Sequence, residues 1–510
     1  MSRKREWLKY LCGGALTLPL LAGAEANSRP NVIVIMADDL GWGDLSCYPQ
    51  ERDRKGVALD TPNIDRLAQM GVRCTQGYAT AMVCAPSRAG FKTGRYQQTF
   101  GYYEFYETLA GIPRDIPTIG QVFKKNGYAT ALFGKVHSMD KFTVDDPGRL
   151  GFDEWYSFIA QHDYYDPRNG QPVLAVPHGY DAYMVENGVP DKSEKMEYLT
   201  DGITRRALDY VGRMSQKKQP FFLYLPYNAP HPPMQAKWEK LQKYFPQFGK
   251  RGFNSRDLAR AMIDSMDEGI GKILDELKKQ GQLENTLIFL TSDNGGHDDG
   301  RELIAEGKGS LVQHNGGLRS RKGYYYEGGI RVPYIAVWPA KLPAGKVYEH
   351  SVSHLDIYAT AVAAAECKGV PDNLDGVDLT PYFKGEKGGA PHEVLYWGMQ
   401  ANANRWAVRK GDWKLIKEFH FEASIRERDF VQREYALYNI KDDPHEKNNV
   451  MEANPEVVKE LLKLKEEFYA RCKPTIVTPE QDKVWRAERQ RRLDNPDGAG
   501  RRDGYADCWL

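Results

Sequence analysis

One continuous apolar run near the start of the chain places the strongest constraint on its fold. Asn31-Val-Ile-Val-Ile-Met36 is mostly β-branched and ends in Ala37-Asp38-Asp39. A strand exposed on one face would alternate apolar with polar residues, whereas a run of this kind is typical of a parallel strand buried on both faces. The run therefore predicts a central strand with acidic residues at its carboxyl end.

Helical and strand patterns alternate after this strand. We predict helices over 116–126, 200–214 and 257–280, each followed by a strand, over 128–133, 220–225 and 286–291. This alternation favours an α/β fold, a large mixed or mostly parallel sheet sandwiched by helices. With 510 residues, the chain is long enough for one large domain and a smaller appendage.

Polar side chains follow several of these strands. In a parallel sheet, such residues gather in one crevice outside the carboxyl ends of the strands. The residues expected there are Asp38, Asp39, Lys135, His137, His231, Asp293 and Asn294.

After about residue 390 the pattern changes to short strands. Segments 394–397, 405–409, 413–417 and 436–439 predict a small antiparallel sheet, and 455–471 predicts a closing amphipathic helix. Together with the main pattern, this predicts a catalytic domain over 29–389, a C-terminal subdomain over 390–472 and a tail over 473–510.

Residues 1–24 have the pattern of an export signal. A basic start precedes the apolar stretch 11–21, which is too short to span a membrane, and Ala22-Gly23-Ala24 offers a cleavage site. The start resembles a twin-arginine signal with Lys4-Arg5 in place of the arginine pair, so the export route stays open. We expect a periplasmic or extracellular protein. No later stretch approaches the ~20 apolar residues of a membrane span.

Charge and cysteine content exclude two classes of protein. Lys+Arg of 70 against Asp+Glu of 69 leaves a net charge of +1, which lacks the electrostatic footprint of a nucleic-acid binder. Removal of the signal, with Cys12, would leave six of the seven cysteines. Their spacings match no pattern of zinc ligands, which argues against a protein built on a structural zinc site.

Cys84-Ala-Pro-Ser-Arg88, followed by Thr93-Gly94-Arg95, is the most specific motif in the chain. It resembles the C-x-P-S-R signature of the type I, formylglycine-dependent sulfatases of the alkaline-phosphatase-like superfamily. The alternative is a buried cysteine beside a proline turn, and four matching positions in five favour the signature. The resemblance implies that a formylglycine-generating or maturase enzyme oxidises Cys84 to formylglycine (3-oxoalanine). The hydrated aldehyde would attack the sulfur of a sulfate monoester, and its second hydroxyl would then expel sulfate.

Two pairs of residues with side-chain oxygen ligands, one on each side of this motif in the sequence, predict a metal site. Asp38, Asp39, Asp293 and Asn294 supply hard oxygen ligands from two strand ends, and the Cys84-derived group would complete the set. These ligands suit Ca²⁺, with Mg²⁺ as the alternative. Each pair alone is common in turns, so the prediction depends on both pairs following apolar strands.

Further elements resemble the same family and imply roles for single residues. Gly134-Lys-Val-His137 resembles G-K-W-H with Val136 in place of Trp; Lys135 would hold a sulfate oxygen, and His137 would take a proton during sulfate release. Ala229-Pro-His-Pro-Pro233 resembles A-P-H-x-P, in which His231 would protonate the leaving oxygen.

Two more basic residues complete the expected catalytic set. Lys322 matches a second sulfate-binding lysine, in a stretch where Ser320 replaces the usual glycine, and Arg88 would brace the nucleophile. The resemblance, from Arg29 to about Ala470, implies a sulfatase acting on a sulfated carbohydrate. Two alternatives remain: a phosphomonoester or phosphonate hydrolase, and a non-catalytic glycan-binding protein on the same scaffold.

Overall fold

The predicted alternation builds a sheet of eleven strands within the described part of the chain. The structure, a computed structural model, describes residues 29–48, 59–104, 107–108, 110–138, 147–158, 184–190, 197–244, 255–297, 314–398, 405–421, 430–432, 435–483 and 486–487. The predicted signal over 1–24 and positions 488–510 of the predicted tail lie outside these residues. The strands of the sheet are β1 (Asn31–Ala37), β2 (Val72–Tyr78), β3 (Ala129–Lys135), β4 (Glu154–Phe158), β5 (Val185–Glu186), β6 (Val189–Pro190), β7 (Phe221–Pro226), β8 (Thr286–Ser292), β9 (Arg331–Val337), β10 (Lys346–Tyr348) and β11 (Val352–Ser353).

The strand order places β1 in the middle of a parallel block. Neighbours follow the order β10-β2-β9-β8-β1-β7-β3-β4-β5-β6, and β11 pairs with β2. Strands β8, β1, β7, β3 and β4 are all parallel, whereas β9 runs antiparallel to both of its neighbours. The predicted mixed, mostly parallel sheet is confirmed.

Helices cover both faces of this sheet, as the continuous apolar run predicts. Ile33 and Ile35 of β1 belong to one hydrophobic core, and Val32 and Val34 belong to the other. The helices are α1 (Pro62–Met70), α2 (Cys84–Thr93), α3 (Ile119–Lys125), α4 (Leu199–Lys217), α5 (Trp238–Tyr244), α6 (Ser255–Lys279), α7 (Glu327–Ile330), α8 (Leu355–Ala364), α9 (Thr380–Lys384) and α10 (Pro455–Tyr469). Side chains of α1, α4 and α6 complete the first core, and those of α2, α3 and α8 complete the second.

The helix predicted over 116–126 begins three residues later than expected. Thr118 Oγ1 accepts from the Gln121 main chain, and Gln121 Oε1 accepts from the Thr118 main chain, which forms a capping box. This reciprocal pair fixes Ile119 as the first helical residue, because the cap itself is not helical.

The C-terminal segments form a second, antiparallel sheet. Its strands follow the order β12 (Val394–Gly398), β13 (Trp406–Lys410), β14 (Trp413–Lys417) and β17 (Ala436–Asn439). A separate hairpin joins β15 (Phe419–Phe421) and β16 (Phe430–Gln432). Leu461 of α10 packs against Trp406 and Leu415, so the predicted closing helix covers this sheet.

The described start of the predicted tail lies against residues 98–101. The Lys473 main chain donates to the Gln98 carbonyl (3.0 Å), and Ile476 donates to the Gly101 carbonyl (3.1 Å). None of the five cysteines in the described ranges forms a disulfide. Those ranges also contain no helix that combines the length and the apolar character of a membrane span.

Candidate active site

The ends of β1 and β8 are joined by main-chain hydrogen bonds that bring four predicted ligands together. The Asp293 main chain donates to the Ala37 carbonyl (3.1 Å), and the Asp39 main chain donates to Asp293 Oδ1 (3.2 Å). Asp39 adopts a left-handed φ of 64°, which turns the chain directly after the strand. Asp38, Asp39, Asp293 and Asn294 are all fully buried.

Lys135 enters the same cluster as the last residue of β3. Gly134 precedes it, and there β3 approaches β7 so closely that a Cβ atom would lie 2.0 Å from the Pro226 carbonyl oxygen. Its φ of 127° is also open only to glycine without strain. Lys135 Nζ donates to Asp38 Oδ2 at 2.6 Å. Val136 points into the hydrophobic core, so it has no direct part in the cluster although it stands where the motif usually has Trp.

Cys84 faces these carboxylates from the first turn of α2. Its Sγ and one oxygen each of Asp38 and Asp293 lie within 4.8 Å of one another. Burial raises the pKa of the Cys84 thiol above its usual value, although the charges of Lys135 and Lys322 oppose this. An unmodified thiol is therefore protonated at neutral pH, and a thiol is a poor nucleophile.

Arg88, one turn further along α2, joins the helix to the end of β8. Its Nε donates to Asp293 Oδ2 at 2.8 Å, and NH2 lies 2.7 Å from the same oxygen. NH1 also donates to the Tyr224 hydroxyl at 3.3 Å. The sequence reasoning missed Tyr224, which lies inside β7 and reads as an ordinary core aromatic.

Lys322 reaches the cluster from a loop far along the chain. Its Nζ lies 2.8 Å from Asp39 Oδ1, an oxygen that also accepts from Asn294 Nδ2 at 2.8 Å. The Lys322 main chain donates to the Gly296 carbonyl (3.0 Å), which holds the loop against the end of β8. Ser320 has a left-handed φ of 65°, which explains why this position of the motif usually carries glycine.

Both predicted histidines are buried beside the cluster. The Nδ1 of His231 lies 2.6 Å from the Pro232 carbonyl, which can only accept, so Nδ1 carries a proton. Its Nε2 lies 3.7 Å from Asp39 Oδ2. Burial, followed by the charge of Lys135, lowers the pKa of His137 and of His231 well below the usual value. His137 adopts a left-handed φ of 44°.

Two further histidines at this edge were not predicted. His297 lies close enough to Asp39 and Lys322 for both charges to act on it, and burial above all lowers its pKa to about 4. Its place three residues after Asn294 was an available signal. His354 lies behind the cluster, 3.2 Å from Ser87 Oγ and 3.0 Å from Thr291 Oγ1, and no local pattern marks it.

The donor atoms fit a hard divalent cation. Among the described residues, Asp38 Oδ1 and Asn294 Oδ1 are buried acceptors that receive no hydrogen bond, and buried acceptors rarely remain unsatisfied. Three carboxylates and an amide oxygen form the ligand set that Ca²⁺ prefers. Arg88, Lys135 and Lys322 balance the three carboxylates, so a divalent cation would give the cluster a net positive charge suited to an anionic ester.

Comparison with known proteins identifies the family of the chain. The sulfatase family model matches residues 30–367, and the model for the C-terminal region of N-sulphoglucosamine sulphohydrolase matches residues 320–472. The uncharacterized sulfatase YdeN of Escherichia coli (strain K12) is 30% identical, over 90% of this chain and 89% of that protein. N-acetylgalactosamine-6-sulfatase of Canis lupus familiaris is 31% identical, over 72% of this chain and 68% of that protein.

A solved structure extends the similarity to three dimensions. The crystal structure of Ps i-CgsB in complex with k-i-k-neocarrahexaose is 31% identical and has a TM-score of 0.74, over 91% of this chain and 99% of that chain. The similarity to sulfatases in sequence and the similarity to this solved structure in fold thus both extend over nearly the whole chain. It belongs to the sulfatase family of the alkaline-phosphatase-like superfamily and is a sulfuric ester hydrolase.

Proposed function

We propose that this enzyme hydrolyses sulfate esters of a carbohydrate, with a formylglycine at position 84 and a calcium ion beside it. The observation that carries the proposal is the convergence of Cys84 Sγ with oxygens of Asp38 and Asp293 within 4.8 Å. Support for a carbohydrate comes from two proteins at 31% identity, the one solved with a neocarrahexaose and the N-acetylgalactosamine-6-sulfatase.

The cation site uses the four oxygen ligands at the ends of β1 and β8. Asp38, Asp39, Asp293 and Asn294 would hold calcium, and the oxygen that replaces the Cys84 sulfur would complete the set. When bound, calcium supplies positive charge that stabilises anionic oxygens of the nucleophile and the ester. Arg88 contacts Asp293 and so holds the helix that carries position 84 against these ligands.

The basic residues around the cluster bind and orient the ester. Lys135 and Lys322 present ammonium groups at Asp38 and Asp39, where they would hold oxygens of the sulfate. Nδ1 of His231 donates to a carbonyl, so Nε2 would protonate the leaving oxygen, and it can do so only after the ring has taken up a second proton. His137 follows a different strand and would take the proton in the sulfate-release step.

Maturation and export belong to the same proposal. Residues 1–24 would direct export to the periplasm or the outside of the cell, and a formylglycine-generating or maturase enzyme would modify Cys84. We also propose the division into a catalytic domain (29–389), a C-terminal subdomain (390–472) and a tail (473–510). The separate antiparallel sheet of β12, β13, β14 and β17, with α10 packed on it, supports the boundary between residues 389 and 390.

Peptide mass spectrometry of enzyme co-expressed with a maturase tests the nucleophile. We expect aldehyde at position 84, and we expect Cys84→Ala to lose turnover while its unfolding midpoint stays unchanged. Cys367→Ala, at a half-buried cysteine outside the cluster, is the matched control and should keep full activity. Active enzyme carrying only unmodified Cys84 would refute the mechanism.

Paired sulfate and phosphate esters of the same alcohol test the reaction. A higher kcat/KM for the sulfate ester is expected. Preference for the phosphate ester would favour a phosphomonoester hydrolase. Binding of glycan without turnover of either ester, by chain that carries the aldehyde, would favour a non-catalytic binding protein.

A further inference from the structure

The buried amine of Lys92 has no role in the proposed mechanism, yet it reaches the active-site loop. Lys92 lies in α2, one turn after Arg88, and is only 1% exposed. Its Nζ donates to the Val136 carbonyl at 2.5 Å and to Ser138 Oγ at 2.6 Å. These two partners are the residues on either side of His137.

Lys92 has no acidic partner among the described residues. Burial, with a smaller effect from the charge of Arg88, lowers the pKa of Lys92 well below its usual value. Burying an amine lowers the stability of the fold, because the amine loses its hydration, and an apolar side chain would fill the same space without this loss. The two hydrogen bonds to the His137 loop, together with the approach of Nζ to within 5.6 Å of the Tyr224 ring centroid, are therefore the features that distinguish lysine here.

The backbone of His137 needs support from its surroundings. A left-handed φ of 44° is strained for a residue with a Cβ atom, and such conformations persist only where neighbouring structure holds them. The Val136 main chain donates to the Phe158 carbonyl (3.0 Å), and the Ser138 carbonyl accepts from Ile112 (3.2 Å). Lys92 donates with one group to the Val136 carbonyl and to the Ser138 hydroxyl, and that hydroxyl also donates to the Val136 carbonyl at 3.4 Å.

We propose that Lys92 is a positioning residue: by bonding the residues on both sides of His137, it orients that imidazole toward the reacting ester. The inference rests on the proposed role of His137. A misplacement of ~1 Å can lower a rate by about 10²-fold, so loss of these bonds is expected to reduce kcat rather than to weaken substrate binding.

A double-mutant cycle with an activated aryl sulfate as substrate tests this proposal. Lys92→Met keeps the chain length but cannot donate; we expect kcat to fall at least about tenfold with KM changed less than about threefold. In a His137→Ala background, the same substitution should change kcat less than about twofold, because its target is absent. Phe91→Leu, which disturbs the same helix and the Tyr224 ring, should act equally in both backgrounds.

Each contrary result has a separate meaning. Equal loss from Lys92→Met in both backgrounds would reduce Lys92 to a packing role and leave the proposed function standing. Unchanged kcat in His137→Ala itself would overturn the proposed role of His137 and this inference with it, and would leave the proposed hydrolysis of sulfate esters standing.

A second readout is the sulfated Cys84 peptide during turnover. It should accumulate in Lys92→Met as in His137→Ala, and its absence from Lys92→Met alone would refute the inference. Should Lys92→Met fold poorly, Ser138→Ala removes one acceptor and should give a smaller effect of the same kind.

Discussion

A buried ion triad joins the C-terminal sheet to the segment that follows Lys322, and removing its lysine tests how strongly the two parts are coupled. Lys414 Nζ, in β14, lies 2.9 Å from Glu327 Oε1 and 2.9 Å from Glu446 Oε1. All three side chains are fully buried, and the Glu327 main chain also donates to Glu446 Oε2 at 2.7 Å. Lys414→Met would leave two buried carboxylates together without the cation between them.

The expected loss of stability in Lys414→Met follows from these contacts. Removing one partner of a buried ion pair typically costs ~3–5 kcal/mol, because the remaining charge is left uncompensated. Here one cation serves two carboxylates, so we expect a loss of about 4 kcal/mol in the free energy of unfolding at pH 7.5.

The loss should depend on pH in a defined direction. Burial opposes ionisation, but the charges of Lys414, Arg409 and Arg331 bring the pKa of Glu327 down to about 2. Burial raises the pKa of Glu446 to about 7, against the charge of Lys414. Without Lys414 both values rise, so the folded variant binds more protons than the folded wild type. A carboxyl group whose pKa is raised on folding stabilises the folded state at low pH, and this stability is lost as pH rises. The loss of unfolding free energy in the variant, relative to wild type, therefore grows with pH, by up to ~1.4 kcal/mol per pH unit for one extra bound proton.

Urea titrations followed by tryptophan fluorescence at pH 5.5 and 7.5 measure this deficit. Lys410→Met removes a partly exposed lysine of the neighbouring strand, which pairs with Glu460, and is the matched control. It should shift the midpoint far less, with no added dependence on pH. A deficit for Lys414→Met below ~1 kcal/mol and equal at both pH values would refute the reasoning.

Three predictions concern the active site. Asp39→Ala should lose bound calcium and activity together, measured by elemental analysis and turnover, since Asp39 is both a proposed ligand and the partner of Lys322. Full activity after exhaustive chelation would contradict this. His231→Ala should impair a sugar sulfate by ~10²–10⁴-fold but an activated aryl sulfate much less, because only the basic leaving oxygen needs a proton; equal losses on both substrates would reassign His231. His137→Ala should accumulate a sulfated Cys84 peptide detectable by mass spectrometry, and its absence would remove His137 from the release step.

Local patterns predicted most of the fold. The continuous run at 31–36 and the long helix over 257–280 each match an element to within a residue or two, because burial on both sheet faces and the helical period are written in neighbouring residues. The start of α3 was wrong by three residues, since the capping of Thr118 by Gln121 outweighs the apolar pattern there.

The same local information predicted that four polar residues meet at one edge of the sheet, but not which groups surround them. Asp38, Asp39, Asp293 and Asn294 could be predicted because parallel strands deliver their carboxyl ends to one edge of a sheet. Family resemblance added Lys322, whose contact with Asp39 spans 283 positions of the chain.

Only the tertiary structure decided which buried groups surround that cluster. His354 contacts Ser87 from 267 positions away, and Lys92 reaches the loop of His137 across 44. A short-range period reports only which face of an element a residue occupies. It gives no distance to a partner on another element, and that distance determines whether a buried lysine such as Lys92 finds hydrogen-bond acceptors in the loop of His137.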